Sequence, residues 1–307
     1  MPTYLVVRAL ASIVAVSGVA APVAATIAPT WRPAEAAPVA TGHSDLPAPR
    51  PAAGIVPDPA APVAWVAPEP LSARRVVLYG DSLASQSQQF FVAALAAAGV
   101  AKVTTRTFGG TAICDWLPQM RADAVALRPD AVVVEFSGNA LTPCMRGLDG
   151  TPLGGPAYFQ KYAADADAVL DIFAAGRGLV FFAGAPISRG AERAHDPGTP
   201  SLHAIYAALA QSSPFGRYAD AGASVLADGR WTETLPCMPT EPCTGGRDGT
   251  GKPVNVVRAP DGAHFCPGAP AAVRGVTAAC PVWSSGSWRF GTAMAAPVVA
   301  EFEARQG

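Results

Sequence analysis

The chain has 307 residues, a formal net charge of −1 and a hydrophobic content of 50%. That length suffices for one large domain or two small ones, and the balanced charge gives no field that would attract nucleic acid or an anionic membrane surface. We therefore expect no nucleic-acid partner, no membrane contact outside the N-terminal segment, and a monomer.

Residues 1–36 have the composition of an export signal. Arg8 provides a positive start, and the nearly apolar stretch 9–27 follows it. Ala34-Glu35-Ala36 fits a small-residue cleavage site, and Val23-Ala24-Ala25 is a weaker alternative. The stretch is also long enough to span a bilayer as an uncleaved anchor. We expect an exported protein, secreted or associated with the cell envelope, and leave cleavage open.

Residues 37–72 are predicted to be a linker. Eleven prolines fall among the forty-two residues from 29 to 70, and the stretch has no apolar periodicity with which it could bury a core. Proline-rich chains of this kind are semi-extended spacers. We therefore place one folded domain at residues 73–307 and expect His43, in the linker, to be inert.

Past the linker, short apolar runs alternate with stretches of helical periodicity. Such alternation predicts an α/β fold with a parallel sheet covered by helices on both faces, and strands that are apolar throughout fit it because they are buried on both sides. Residues 229–260, rich in Pro and Gly, are expected to form a long irregular surface loop. The predicted strands are 75–79, 102–108, 130–137, 178–185 and, as a weak fifth, 224–227; the predicted helices are 83–98, 117–126, 158–175, 201–211 and 297–305.

Polar and glycine-rich segments follow the predicted strand ends. In open α/β sheets the carboxyl ends of the strands converge on one edge, where ligands bind. The segments there supply a serine, glycines that expose the backbone, an amide and an Asp-x-x-His pair, which are the groups that acyl transfer needs. They are Gly80-Asp81-Ser82-Leu83, Phe108-Gly109-Gly110-Thr111, Ser137-Gly138-Asn139 and, near the C-terminus, Asp261-Gly262-Ala263-His264.

The chemistry of acyl transfer suggests a role for each group. Ser82 is the candidate nucleophile, and His264 is the base that takes its proton and later returns it. Asp261 can turn back within a tight loop to hold the imidazole tautomer. The candidate oxyanion donors are the N–H of Ser82, the side-chain amide of Asn139 and a glycine N–H at the second strand end. Gly109 and Gly110 both qualify for that last position, and we favour Gly110.

Each of these residues also has an ordinary structural explanation. Ser82 alone is more often a helix N-cap than a nucleophile, and Asp81 is explained as a turn residue. Gly109-Gly110 could be a plain turn, and Asn139 could simply tolerate a left-handed backbone. Their joint occurrence at the predicted element ends is what favours catalysis.

The remaining histidines and aromatic residues give no second site. His195 and His203 fall in or beside a loop, and we expect both to be solvated. No cluster of His and Cys has the spacing of zinc ligands, so we expect neither a metal nor another cofactor. Trp116 follows the glycine block and lines the substrate cleft or packs in the core.

Taken in order, the four blocks resemble those of the SGNH (GDSL-type) hydrolase superfamily. They match over about residues 74–270, as Gly80-Asp81-Ser82-Leu83, Gly109-Gly110, Gly138-Asn139 and Asp261-x-x-His264. The third block of the family often reads Gly-x-Asn-Asp, whereas Ala140 follows the asparagine here, a difference that bears on the subfamily more than on the activity. The resemblance implies a flavodoxin-like α/β/α sandwich and ester hydrolysis or acyl transfer without a metal.

A narrower resemblance, to exported actinobacterial SGNH domains, rests on residues 110–116 and 261–267. Some relatives of those domains are attached to membrane acyltransferases. We therefore expect an exported serine esterase that removes a short acyl group, such as acetyl, from a carbohydrate or cell-envelope substrate. The alternatives are an O-acyltransferase that uses the same triad on a glycan acceptor and a non-catalytic envelope-binding module, which would require a damaged triad. Protease and thioesterase activities are also chemically open.

All six cysteines lie at or after Cys114, within the predicted domain. An even number in an exported protein favours disulfide bonds, although six cysteines allow fifteen pairings. The first pair we expect would join the loops after the second and third strands, and the last would brace the segment after His264. The expected pairs are Cys114–Cys144, Cys237–Cys243 and Cys266–Cys280.

Overall fold

A parallel sheet of five strands is the middle layer of the computed structural model, which describes residues 69–190, 198–267, 280 and 283–306. Its strands are β1 (Arg75–Gly80), β2 (Lys102–Thr107), β3 (Ala131–Glu135), β4 (Leu179–Ala183) and β5 (Gly216–Ala219). They are ordered β2-β1-β3-β4-β5, with every pair parallel. From β1 the chain first adds β2 on one side, and it then crosses to the other side of β1 to form β3. The carboxyl ends of β1 and β3 therefore flank the crevice that binds ligands in flavodoxin-like folds.

Helices cover both faces of the sheet, which confirms the predicted α/β/α sandwich. One face carries α1 (Ser82–Ala97) and α5 (Ser285–Ala304), and the other carries α2 (Ile113–Ala126), α3 (Gly155–Ala174) and α4 (Gly198–Ser212).

Two hydrophobic cores lie between the sheet and its helices. Val76 and Leu78 of β1 pack in the core under α1 and α5, whereas Val77 and Tyr79 pack in the core under α2, α3 and α4. Successive side chains of a strand point to opposite faces, so a strand buried on both sides is apolar at every position. β3 and β4 are buried along their whole length, and all their residues except Glu135 at the end of β3 are apolar.

The fifth strand of the sheet differs from the prediction. It is Gly216–Ala219, whereas residues 224–227 cover the end of a 3-10 helix and β6 (Leu226–Ala227), which pairs with β7 (Arg230–Trp231) in a separate hairpin. β5 is an edge strand of four residues. Edge strands tolerate charged residues, and Arg217 within it bonds to Glu301 of α5. β5 therefore has no apolar run for a sequence pattern to detect.

The last helix is longer than predicted. It begins at Ser285, not at residue 297, and Pro297 lies inside it. Proline is favoured at the first position of a helix, and for this reason the sequence pattern suggests a helix start at Pro297. The true start is capped by Ser284, whose side chain accepts a hydrogen bond from the N–H of Ser287. α2 likewise begins earlier than predicted, because Asp115 caps it by accepting from the N–H of Ala112.

The region 229–260 is more structured than the predicted surface loop. β8 (Thr234–Pro236) and β9 (Val254–Val256) pair within it. Glu241 is buried against α5, where it pairs with Arg289 and accepts a hydrogen bond of 2.6 Å from Ser285 Oγ. Burying an ion pair is costly unless further hydrogen bonds satisfy it, and Ser285 supplies one.

Several sequence predictions fall outside the described residues. These are the export signal at 1–36, the linker at 37–72 except for its last four residues, and the histidines His43 and His195. Within the part of the chain that the structure does describe, no helix is both long enough and apolar enough to cross a bilayer.

Candidate active site

Ser82 is the first residue of α1 and directly follows the turn after β1. Asp81 is the N-cap, since its Oδ1 accepts a hydrogen bond of 3.0 Å from the N–H of Leu83. The N-cap of α1 is therefore Asp81, and Ser82 does not cap the helix. The first N–H groups of a helix have no acceptor within the helix, so the position of Ser82 leaves its own N–H available to a substrate.

The turn before Ser82 requires a glycine at position 80. A Cβ added to Gly80 would lie 2.3 Å from the Cβ of Ala84 and 2.7 Å from the carbonyl oxygen of Glu135. Real Cβ atoms do not approach other atoms so closely, and only glycine lets β1, β3 and α1 meet at this point. The glycine of the first block thus allows α1 to begin directly over the end of β3.

His264 lies between Ser82 and Asp261. Its Nε2 is 2.9 Å from Ser82 Oγ, and its Nδ1 is 2.6 Å from Asp261 Oδ2. With a proton on Nδ1 that is donated to Asp261, the Nε2 atom can accept the hydroxyl proton of Ser82. The structure therefore brings the three residues of the predicted triad into one hydrogen-bonded chain, although 182 positions separate Ser82 from His264.

Asp261 also caps the turn that carries His264. Its Oδ1 accepts hydrogen bonds from the N–H groups of Ala263 at 2.9 Å and His264 at 3.0 Å. Partial burial raises the pKa of Asp261, but these bonds and the imidazole outweigh burial, so the pKa is lowered from its ordinary value. An ionised Asp261 can stabilise the imidazolium that forms when His264 takes a proton.

Arg189 and Trp231 hold this turn from outside. The N–H of Arg189 and Nε1 of Trp231 both donate to the carbonyl oxygen of Gly262, each at 2.9 Å. The guanidinium of Arg189 lies 4.3 Å from the centre of the Trp231 ring. Gly262 has φ +77°, and a Cβ there would lie 2.6 Å from Arg189 Cβ, so the turn needs glycine. Arg189 and Trp231 thus position Asp261 and His264, and no motif in the sequence marks either residue.

Phe265, which follows His264, is fixed at both of its main-chain polar groups. Its N–H donates to Gln86 Oε1 at 2.8 Å, and its carbonyl accepts from Ser284 Oγ at 2.8 Å. Because Gln86 lies one turn after Ser82 in α1, the helix of the candidate nucleophile and the loop of the candidate base are tied together. A polar residue four positions after Ser82 was the one signal in the sequence for this contact.

Asp81 joins the ends of β1 and β3. It is fully buried, and its Oδ2 accepts from Ser137 N at 2.8 Å, Ser137 Oγ at 2.6 Å and Asn139 Nδ2 at 2.8 Å. Burial raises the pKa of Asp81, and the hydrogen bonds from Ser137 and Leu83 oppose the rise. Asp81 is therefore more than a turn residue, since it holds the loop after β3 against the first turn of α1.

The predicted oxyanion donors do not all face the same space. Asn139 lines a cavity of about 280 Å³ together with Ser82 and His264, but both protons of its amide have protein acceptors, Asp81 Oδ2 and the carbonyl of Thr111 at 3.1 Å. Binding an oxyanion would require that one of these bonds be shared or released. Gly110 lines a neighbouring cavity instead. The oxyanion roles of Asn139 and Gly110 therefore remain predictions.

Trp116 braces the glycine block from the core side. Its ring packs edge-on against Tyr79, with 6.0 Å between the ring centres. Its Nε1 donates to Thr111 Oγ1 at 3.0 Å, and that hydroxyl donates to the carbonyl of Phe108 at 2.7 Å. Of the two roles that the sequence allowed for Trp116, the structure favours core packing, and the side chain also fixes the turn at residues 108–111.

Glu135, at the end of β3, is fully buried and has no cation partner among the described residues. Its Oε2 accepts from the N–H of Ala84 at 3.0 Å, and its Oε1 has no hydrogen-bond partner. Burial raises the pKa of Glu135 well above its ordinary value, and the nearby charge of Asp81 raises it further. Since Asp81 accepts four hydrogen bonds and Glu135 accepts one, we assign the negative charge to Asp81 and the proton to Glu135.

Replacing Glu135 with glutamine is expected to stabilise the protein increasingly as the pH rises. A carboxyl group with a raised folded-state pKa contributes stability below its unfolded pKa, and this contribution is lost as the pH rises toward the folded pKa. The glutamine does not titrate, so the difference in unfolding free energy should grow above about pH 4.3, by at most about 1.4 kcal/mol per pH unit. Urea denaturation of both proteins between pH 4 and pH 8 measures this difference.

Glu301→Gln is the matched control for that experiment. Hydrogen bonds from Arg217 lower the pKa of Glu301, so its contribution to stability is complete above about pH 4.3 and is lost only below that pH. The control should therefore differ from wild type by a constant amount between about pH 5 and pH 8. A stability difference between Glu135→Gln and wild type that stays constant from pH 4 to pH 8 would contradict the protonated state of Glu135.

The structure pairs the six cysteines as Cys114–Cys144, Cys237–Cys243 and Cys266–Cys280, which is the expected pairing. The first bond joins the start of α2 to the loop after β3, so the segments that carry Gly110 and Asn139 are linked covalently. Cys114, Asp115 and Cys144 lie close enough together to suggest a metal site. The two cysteine sulfurs are bonded to each other, however, so neither is a thiolate that could bind a metal ion. Three disulfide bonds are typical of proteins in an oxidising environment.

His203 falls within the predicted helix 201–211. It belongs to α4, and its Nε2 is 2.7 Å from the carbonyl oxygen of Ala185. The ring also packs beside Tyr218. The expectation that it is solvated was wrong, because a histidine on the inner side of a helix can bond a carbonyl at the end of the neighbouring strand.

A family model described as "Protein of unknown function (DUF459)" matches residues 75–272 of the chain. Among curated proteins, none matches the sequence. Similar solved structures include a lipase/acylhydrolase from Enterococcus faecalis, at 15% identity, 74% coverage of this chain, 96% of that chain and a TM-score of 0.46. Another is a GDSL-like lipase from Bacteroides thetaiotaomicron, at 14% identity, 77% and 92% coverage and a TM-score of 0.45. At these values the likeness carries no weight for activity, which has to be inferred from the geometry of the site.

Proposed function

Because the chain belongs to the DUF459 family of proteins of unknown function and has the fold and sequence blocks of SGNH hydrolases, we propose that it is an exported serine esterase. Its substrate in this proposal is a short-chain acyl ester, such as an acetyl ester, of a carbohydrate or cell-envelope molecule. The observation that carries the proposal is the chain of hydrogen bonds from Ser82 Oγ through His264 to Asp261, of 2.9 Å and 2.6 Å.

The first half of the proposed reaction forms an acyl-enzyme. Ser82 Oγ attacks the ester carbonyl carbon while its proton passes to His264 Nε2, and Asp261 stabilises the resulting imidazolium. The carbonyl oxygen becomes an oxyanion that accepts from the N–H of Ser82 and from the proposed donors Gly110 and Asn139. The intermediate then collapses, the bond to the alcohol oxygen breaks, and His264 donates its proton to that oxygen.

The second half returns the enzyme to its starting state. A water molecule gives a proton to His264 and attacks the acyl carbon, and a second oxyanion forms in the same place. The bond to Ser82 Oγ then breaks, the serine regains its proton from His264, and the carboxylic acid leaves. Each oxyanion donor is worth on the order of 3 kcal/mol of the activation free energy, so the donors matter in both halves.

Two features support the finer parts of the proposal. The cavity over Ser82 and His264 measures about 280 Å³, which suits an ester group with a small acyl substituent better than a long chain. The three disulfide bonds support an exported protein, because such bonds persist in oxidising compartments.

A panel of p-nitrophenyl esters from acetate to octanoate tests the proposal. We expect the oxidised protein to hydrolyse the acetate, and kcat/KM to fall as the acyl chain lengthens. The same panel with Ser82→Ala gives the background rate. A wild-type protein that hydrolyses no ester of the panel faster than this variant would defeat the proposed esterase activity.

The alternative activity, O-acyl transfer to a glycan, uses the same acyl-enzyme with a sugar hydroxyl in place of water. A second cavity of about 630 Å³ adjoins the first and offers room for an acceptor. Incubating the protein with an acetyl donor and a disaccharide distinguishes the two activities, because a transferase yields the acetylated disaccharide and an esterase yields free acetate.

A further inference from the structure

Two cavities meet at Asn139. The smaller one, of about 280 Å³, includes Ser82 and His264. The larger one, of about 630 Å³, lies between the loop after β2 and the loop after β3, and it opens to solvent. Asn139 belongs to both linings, so a substrate whose ester lies over Ser82 can continue past Asn139 into the larger cavity.

The larger cavity combines an exposed aromatic ring with polar groups. Phe108 is 46% exposed and Leu141 is 62% exposed, although most large apolar side chains of the described residues are buried. The exposed carboxylate of Asp115 and guanidinium of Arg146 line the same cavity. A sugar ring presents C–H groups on its faces and hydroxyls at its edge. An aromatic ring can stack on those C–H groups, while a neighbouring carboxylate and guanidinium accept from and donate to the hydroxyls.

The length of the acyl group decides which half of the substrate reaches this cavity. If the ester carries a short acyl group, as in the proposed function, that group ends close to Ser82 and cannot extend past Asn139. The part that fills the larger cavity must then be the alcohol. This step rests on the proposed function, and a long acyl chain is the rival occupant.

We propose that the larger cavity is the binding subsite for the sugar that forms the alcohol half of the substrate, with Phe108 as its stacking surface. The walls of this subsite are held in place before any ligand arrives. Cys114–Cys144 links its two sides, and Asn139 Nδ2 donates across it to the carbonyl of Thr111. A preformed subsite loses little conformational freedom on binding.

The test compares a sugar ester with an ester of a small alcohol. We use the mono-O-acetyl ester of cellobiose and ethyl acetate, with acetate release followed by pH-stat. In Phe108→Ala the ratio of kcat/KM for the sugar ester to that for ethyl acetate should fall about tenfold, the size of a lost ring contact. Phe108→Trp should keep the ratio and Phe108→Leu should not, because the aromatic face is what the sugar needs. Val125→Ala, a change at an exposed apolar residue of α2, is the matched control and should leave both rates unchanged.

Two results would overturn the subsite. One is a ratio that does not change in Phe108→Ala. The other is a change in that variant of the preference among acetate, butyrate and hexanoate esters of one alcohol, since this would place the acyl chain in the larger cavity.

A binding measurement separates this proposal from the proposed function. Cellobiose is titrated into Ser82→Ala, with and without Phe108→Ala, and its affinity is measured by NMR. If wild type hydrolyses no ester but cellobiose binding depends on Phe108, the esterase proposal fails and the sugar subsite stands. If esters are hydrolysed but cellobiose binds equally well without Phe108, the subsite fails and the esterase stands.

Discussion

Replacing Ser82 with alanine should lower kcat for p-nitrophenyl acetate by about 10⁴-fold or more. The variant keeps the helix start, because the N-cap is Asp81 and not Ser82. It loses the only oxygen within hydrogen-bond distance of His264 Nε2 among the described residues. What remains is the small acceleration from binding and oxyanion contacts alone.

The control for this variant is Ser212→Ala, at the end of α4, where the hydroxyl donates to the carbonyl of Leu209 and has no other partner in the part of the chain that the structure describes. It should retain the wild-type rate. Thermal unfolding of both variants shows whether the fold is intact. A folded Ser82→Ala protein with more than one tenth of the wild-type kcat would remove Ser82 from the mechanism.

Replacing Asp81 with asparagine should lower kcat by about 10²–10³-fold with little change in KM. Asp81 accepts from Leu83 N on one oxygen and from Ser137 and Asn139 on the other. An asparagine has only one acceptor oxygen, so its amide nitrogen must face a donor on one side. The nitrogen either releases Asn139 or leaves Leu83 N, next to Ser82 in the first turn of α1, without an acceptor. In both cases a proposed oxyanion donor loses its fixed position, and we expect a loss equal to that of one such donor, which acts mainly in the transition state.

The free energy of unfolding provides an independent measurement of the effect of Asp81→Asn. Each buried donor left without an acceptor costs about 1–3 kcal/mol, so Asp81→Asn should lower the unfolding free energy by at least that amount. Asp248→Asn is the control, because Asp248 caps an exposed turn through Thr250 and Lys252 and lies far along the chain from both strand ends. An unchanged kcat in Asp81→Asn would show that the network around Asp81 serves only the fold.

The sequence predicts the central strands well because their physical signal is local. β4 is apolar at every position and β3 at every position except its last, Glu135, as burial on both faces favours. The order of the strands then brings the segments after β1 and β3 together, and the predicted neighbours Ser82 and Asn139 do line one cavity. β5 gives no such signal, since its four residues at the sheet edge include Gly216 and Arg217.

The supporting residues of the site could not be predicted, because their partners are distant in the chain. Asp81 and Ser137 are 56 positions apart, and Phe265 is 179 positions from Gln86. No local periodicity links such pairs. Glu135 does carry a local signal, since an acid at the end of the run Ala-Val-Val-Val is a buried carboxyl group in any fold that buries the strand, and burial raises the pKa of an acid.

The central claim is that Ser82 is a nucleophile activated by His264. Labelling with a fluorophosphonate probe, followed by peptide mass spectrometry, tests it most directly, because the probe forms a stable bond only with an activated serine. We predict one adduct per chain, on the peptide that contains Ser82, and a much slower reaction in His264→Ala. A protein that hydrolyses esters but carries the adduct on another residue, or that labels Ser82 equally fast without His264, would contradict this account.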